Sequence, residues 1–171
     1  MRESEIASMS LHTPGGGVLV KCGKVLHSEG DQVRETACLR VVSGLIGLRT
    51  TDGLGREVFV ATVREGQYFG IEVLKKEQRW RHSAVALLKD TLVHRIPLSF
   101  SAKEALIEDE IQRLRELEEI FIARNIAARV AIMQARIPGI DQVTTGVMAM
   151  LVGACREMVG NVNRQLRNRL H

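Results

Sequence analysis

Between Ser101 and Arg136 the sequence contains neither Gly nor Pro and is dominated by Leu, Glu, Arg, Ala and Ile. These residues lose little freedom in a helix, so the stretch predicts a long helical element. Ser101 followed by Glu104 has the spacing of a capping box at its start. Ile107, Leu114, Phe121 and Ala128 recur every seventh position, and Ile111 and Leu117 fill the intervals. That places a narrow apolar stripe on an otherwise charged helix. A helix of some 20 residues spans about 30 Å, the diameter of a small domain. Such an element is either an amphipathic core helix or a shaft that zips to a second copy of itself, and the stripe alone leaves both readings open.

The acidic and basic residues are unevenly spread. Residues 104–119 carry seven acidic side chains against Arg113 and Arg115, whereas residues 156–169 carry four Arg against Glu157. The net charge of +4 over 171 residues is compatible with an anionic partner. An apolar content of 45% supplies real cores, and with aromatics at 4% those cores must rest on Val, Leu, Ile, Ala and Met. Cys22, Cys38 and Cys155 are scattered, without a C-x-x-C or a Cys/His cluster at zinc spacing. Free thiols in a reducing cytoplasm and no metal site are therefore expected. No apolar run is long enough to span a bilayer, and the first residues lack the apolar centre of a signal peptide, which predicts a soluble cytoplasmic protein without a membrane partner. No Ser/His/Asp or paired-carboxylate constellation stands out, so an enzyme is not expected.

Ahead of the helical stretch the rhythm changes. Residues 1–17 are mixed and end in Pro14-Gly15-Gly16-Gly17, a loop or loose terminus. Short apolar runs then alternate with Gly-bearing turns: 18–20, 24–26, 37–42, 45–50, 57–63, 83–88 and 91–96, the last stopped by Pro97. Closely spaced short strands of this kind predict an antiparallel sandwich or barrel over about 18–100.

Behind it, Pro138-Gly139 breaks the helical pattern. Thr144-Thr145 can cap a short helix carrying Val147 to Leu151. Gly153-Ala154-Cys155 is a turn, and a second helix runs from Arg156 toward Leu170. Its inner face is Val159, Val162, Leu166 and Leu170, and its outer face holds Arg156, Glu157, Asn161, Asn163, Arg164 and Arg167. Two short helices about a Gly-bearing turn, the second basic outside, match a helix-turn-helix.

In order along the chain, Glu29-Gly30-Asp31, Val41-Val42-Ser43-Gly44-Leu45-Ile46, Gly55-Arg56-Glu57-Val58, Glu65-Gly66-Gln67-Tyr68-Phe69-Gly70, Asp90-Thr91 and Arg95-Ile96-Pro97 resemble the β-roll of the Crp/Fnr family of bacterial transcription regulators. Val152-Gly153-Ala154-Cys155-Arg156-Glu157-Met158-Val159 resembles that family's helix-turn-helix signature. The resemblance implies an α+β chain: a β-roll effector domain over 18–100, a dimerisation helix and hinge over 101–136, and a helix-turn-helix over 137–171. It implies a homodimer zipped along Ile107, Ile111, Leu114, Leu117 and Phe121, sequence-specific binding to double-stranded DNA, and activation through contacts with RNA polymerase. The sequence ends at His171, where the family's β-wing begins, so the wing is expected to be absent.

On that resemblance Arg156 and Glu157 contact bases. A guanidinium can donate twice to guanine and a carboxylate can accept from cytosine N4. Thr144 and Thr145 are placed for phosphate, and Arg164 and Arg167 carry charge suited to the same role. The family usually has Thr where this chain has Met158 and often Arg where it has Asn161, a residue able to read adenine. In the roll, the pocket positions are Gly70, Ile71, Glu72, Arg81 and His82. A cyclic-nucleotide pocket of this family needs Glu directly after the Gly, where this chain has Ile71, and Ser or Thr after the Arg, where it has His82. On a strand, Glu72 would face away from the pocket. No cofactor is expected, and cyclic AMP least of all. An iron–sulfur cluster needs four thiolates, and the chain has three Cys. Two rival readings stay open beside a DNA-binding regulator: an effector-sensing dimer whose DNA contacts have decayed, and a dimeric scaffold without DNA or ligand.

Overall fold

The structure is a computed structural model and describes residues 11–13, 16–33, 37–75 and 79–168, with the backbone path alone for 11–13 and 166–168. The predicted inner-face Leu170 therefore lies outside the described residues, as do the side chains of Leu166 and Arg167. The architecture is α+β. Strands β1 (Leu11–Thr13), β2 (Gly17–Val20), β9 (Thr91–Pro97), β4 (Ala37–Ser43) and β7 (Tyr68–Phe69) form one antiparallel sheet in that order. Strands β3 (Val25–His27), β8 (Ser83–Ala86), β5 (Leu45–Thr51) and β6 (Glu57–Arg64) form the other. The apolar runs read from the sequence become strands. Strand β1 was not expected: it falls in the stretch read as a loop, and pairs Leu11 with Leu19 and Thr13 with Gly17.

Two positions explain how the chain turns, one between the sheets and one within the second sheet. Gly44 has φ 91, and a Cβ there would lie 2.5 Å from Thr91 Oγ1, so only glycine passes from β4 to β5. The β5–β6 hairpin closes on Asp52, whose carboxylate accepts the N–H groups of Leu54 and Arg56 at 2.8 and 2.9 Å and pairs with the Arg56 guanidinium. Between the sheets lies a core that includes Leu39, Val41, Ile46, Val63, Phe69, Trp80 and Val93. Each fully buried apolar side chain there stabilises the fold by about 2 kcal/mol.

The helical stretch differs from its prediction in two ways. Helix α1 (Phe100–Ile122) is capped by Ser99, whose hydroxyl oxygen accepts the Ala102 N–H at 3.1 Å, so the Ser101–Glu104 box is not the start. The shaft is also not continuous to Arg136. It breaks at residues 123–125, where Asn125 turns extended, accepts the Ala128 N–H at 2.9 Å and starts α2 (Ile126–Arg136). A side-chain cap here outweighs the helix propensity of the flanking residues.

Helix α1 is fastened to the roll by polar side chains. Asp109 accepts the Tyr68 N–H at 2.6 Å, and buried Arg113 donates to the Tyr68 carbonyl at 2.6 Å and pairs with Glu110. Arg64, at the end of β6, pairs with Glu116 and donates to the Arg136 carbonyl at 2.5 Å, which joins roll, α1 and α2 at one point. After Pro138-Gly139 and a single 3-10 turn come α3 (Thr145–Val152) and α4 (Arg156–Asn168). Their apolar faces do not form a separate core. Leu45, Phe59, Val85 and Leu87 on the sheet share one cluster with Ile120, Met133, Ile137, Met148, Leu151, Val152 and Val159.

Candidate nucleic-acid interface

Helix α3 is stopped by Gly153, which takes φ 66, and the Ala154 N–H returns to the Ala149 carbonyl at 2.9 Å. Two residues later α4 begins. Its Val159 is fully buried and Val162 partly so, which fixes the rotation of the helix and leaves Arg156, Glu157, Met158, Asn161 and Arg164 exposed. Glu157 sits in the first turn, where a carboxylate is favoured by the helix dipole. Asn163 departs from the expected outer face: its Oδ1 is buried and has no hydrogen-bond partner.

Several of these side chains are already engaged within the protein. Thr144 is the N-cap of α3, its hydroxyl oxygen accepting the Val147 N–H at 3.3 Å, while Thr145 is half-buried in the first turn. Asn161 accepts from Arg164 at 2.7 Å. The Arg156 guanidinium lies across the first turn of α3, over Gly146. Arg167 lies in the last turn of α4.

On α1 the predicted stripe faces away from the body. Ile107, Leu114 and Phe121 are 45%, 59% and 48% exposed, and Ile111, Phe100 and Ile122 are exposed with them. Leu117 differs: it is half-buried and lines a cavity of about 20 Å³ with Phe59, Ile120, Met133, Ile137 and Leu151. It therefore flanks the stripe and does not lie along it.

Inside the roll, residues 71–74 form a 3-10 turn following left-handed Gly70, not a strand. Glu72 is 6% exposed and accepts the Arg81 N–H at 3.3 Å, so it lies buried on a turn and not on the strand on which its facing was predicted. Ile71 is half-buried, and the Arg81 side chain is exposed. Trp80 is buried and stacks on His27 with ring centroids 3.8 Å apart and planes 13° apart. Its other edge meets Gly70, where a Cβ would lie 3.0 Å from Cζ3. Beside the stack is a cavity of about 40 Å³ lined by Val18, Leu26, His27, Leu39, Trp80, Val93 and Arg95. Burial, reinforced by repulsion from His82, pushes His27 down to about 4. Burial lowers His82 as well, against the attraction of Glu72. Among the described residues no group of His, Cys, Asp and Glu is placed to hold a metal ion, and no helix is long and apolar enough to cross a membrane.

Three contributors escaped the sequence reading. Gly146 and His27 act through close approach to distant residues, and the one available signal was a glycine in the first turn of a helix, where alanine would serve better. Arg129 is one of many charged residues in the helical stretch, and no local pattern distinguishes it.

The family model of the cyclic nucleotide-binding domain matches residues 18–103. No curated protein matches the sequence. Among solved structures, a CRP-family transcriptional regulator from Thermus thermophilus superposes with a TM-score of 0.72 at 20% identity, over 88% of this chain and 84% of that one. A CRP/FNR-family regulator from the same organism gives 0.69 at 24% identity, over 90% and 86%. FixK2 from Bradyrhizobium japonicum gives 0.68 at 17% identity, over 90% and 84%.

Proposed function

We propose, from the premise that this chain belongs to the cyclic nucleotide-binding domain family and is Crp/Fnr-like in build, that it is a transcription regulator that binds DNA as a homodimer without needing cyclic AMP. The observation that carries the reading is α4: it buries Val159 and turns Arg156, Glu157, Asn161 and Arg164 outward behind a Gly153 turn. A helix so placed fits a major groove, with Arg156 and Glu157 at its leading end. The exposed stripe of Ile107, Ile111, Leu114 and Phe121 supports self-association, because so regular an apolar line on a charged helix suits a parallel partner. Two α4 helices on one two-fold axis would then meet successive half-sites about 34 Å apart.

Independence from cyclic AMP is supported by the roll interior. The cavity beside the His27–Trp80 stack, about 40 Å³, has room for a water or two and not for a nucleotide, and none of Gly70, Ile71, Glu72, Arg81 and His82 lines it. Trp80 fills the space beside Gly70, and Arg81 points to solvent, away from any phosphate inside. The second reading, an effector-sensing dimer with decayed DNA contacts, draws on Met158, an apolar side chain exposed in the middle of the reading face. A gel shift on genomic fragments across a salt series separates them. The regulator reading expects affinity that falls steeply with salt and a subset of fragments bound preferentially; salt-insensitive or absent binding would overturn it.

A further inference from the structure

Arg129 sits in the first turn of α2 and spends its donors on three carbonyls. Nε donates to the Ala123 carbonyl at 3.3 Å, Nη2 to the Phe121 carbonyl at 3.4 Å and Nη1 to the Val152 carbonyl at 3.1 Å. The first two are the open end of α1, and the third is the open end of α3. Helix C-termini leave carbonyls unpaired and carry partial negative charge, so one guanidinium can close two of them together. The Arg129 guanidinium also lies over the Phe121 ring, 5.4 Å from its centroid. A Cβ at Gly153 would sit 3.5 Å from Phe121 and 3.8 Å from Arg129, so the turn between α3 and α4 packs directly on this pair.

We infer that Arg129 is a positioning residue that sets the angle between the α1 stripe and the reading helix, and thereby the half-site spacing the dimer accepts. This rests on the dimeric DNA-binding reading above. The break at residues 123–125 removes the backbone hydrogen bonds that would have kept α1 and α2 in line. Arg129 replaces them with a fork that reaches past the break to α3. The planar guanidinium suits this task, since it presents several donors in fixed directions, whereas a lysine ammonium is a single mobile point.

The test uses the full chain and a duplex selected by the wild-type protein, with the distance between half-sites changed one base pair at a time. Wild type is expected to lose about tenfold or more in affinity per step, Arg129→Ala about twofold or less, and Arg129→Lys an intermediate amount. Base discrimination within a half-site is expected to stay unchanged in both variants. Spacing discrimination in Arg129→Lys as sharp as in wild type would overturn the inference while leaving the regulator reading intact, even if Arg129→Ala failed to fold. Wild-type protein that binds no duplex would overturn both. As a readout without DNA, amide exchange at Ala154 should accelerate in Arg129→Lys as the Val152 carbonyl loses its donor; unchanged exchange would also count against the inference.

Discussion

Arg156 and Gly146 are in direct contact across the two short helices: a Cβ placed on Gly146 would lie 2.7 Å from Arg156 Nη2 and 3.3 Å from Nε. The glycine thus forms a notch in which the guanidinium rests against the start of α3. Gly146 has an ordinary helical backbone, so alanine is tolerated there by conformation, and the flexible end of Arg156 must move to admit its Cβ. Gly146→Ala is expected to raise stability by up to about 1 kcal/mol through helix propensity. It should also displace Arg156 and change discrimination between a preferred and a mutated half-site by about tenfold. Thermal unfolding and competitive gel shifts measure the two effects. Identical discrimination in the variant would show that the contact has no bearing on recognition.

The stripe on α1 makes a second expectation. Leu114 is 59% exposed, so Leu114→Glu should leave the folded protomer within about 0.5 kcal/mol of wild type. In a zipped dimer it would set two carboxylates against each other, and the dimer dissociation constant should rise by at least about a hundredfold. Sedimentation over a concentration series reads this directly. A wild-type protein that sediments as a monomer at every concentration would remove the basis for it.

Trp80 leads to a third. Stacked on His27 and seated against Gly70, it occupies the interior of the roll. Cyclic AMP at about 1 mM should therefore leave the unfolding temperature unchanged, whereas a ligand present at a hundred times its Kd would add about 2.7 kcal/mol. A rise of several degrees would mean that Trp80 yields its place.

The fourth concerns pH. His27 is neutral in the folded protein down to about 4, whereas the unfolded chain takes up its proton near 6.5. The unfolded state thus binds more protons below pH 6.5, and stability should fall progressively between pH 6.5 and 4, by about 3 kcal/mol at most from this group. His82, also lowered, acts in the same direction. Above pH 7 neither contributes a slope. Urea unfolding at stepped pH should show the loss, and His27→Phe, which keeps an aromatic ring on Trp80, should flatten most of it. An equal slope in the variant would place the titration elsewhere.

Much of the roll could be read from the sequence because its strands are short apolar runs punctuated by glycine, and a residue such as Gly44 has few other uses. The helix pair was legible for a similar reason: Thr144 and Gly153 are strong local signals, and both cap α3. The break at Asn125 was also written locally, as an Asn before an apolar helical run, but it was outweighed by the surrounding Leu, Ala, Glu and Arg. The alternation of a strand does not apply to Glu72, because left-handed Gly70 starts a tight turn there. What could not be read were contacts between residues far apart in sequence. The Arg129–Val152 bond, the Gly146 notch and the His27–Trp80 stack depend on tertiary placement, which no local pattern encodes.

Phe59 and Val85 on the sheet meet Met148 and Leu151 of the terminal helices in one continuous apolar layer. Neither portion can therefore hide its greasy side without the other. A protease cut near Pro138 should release no autonomous fragment, and recombination that swapped the last helices between relatives would have to import matching side chains on β5, β6 and β8. The chain is tied to inherit its two ends together.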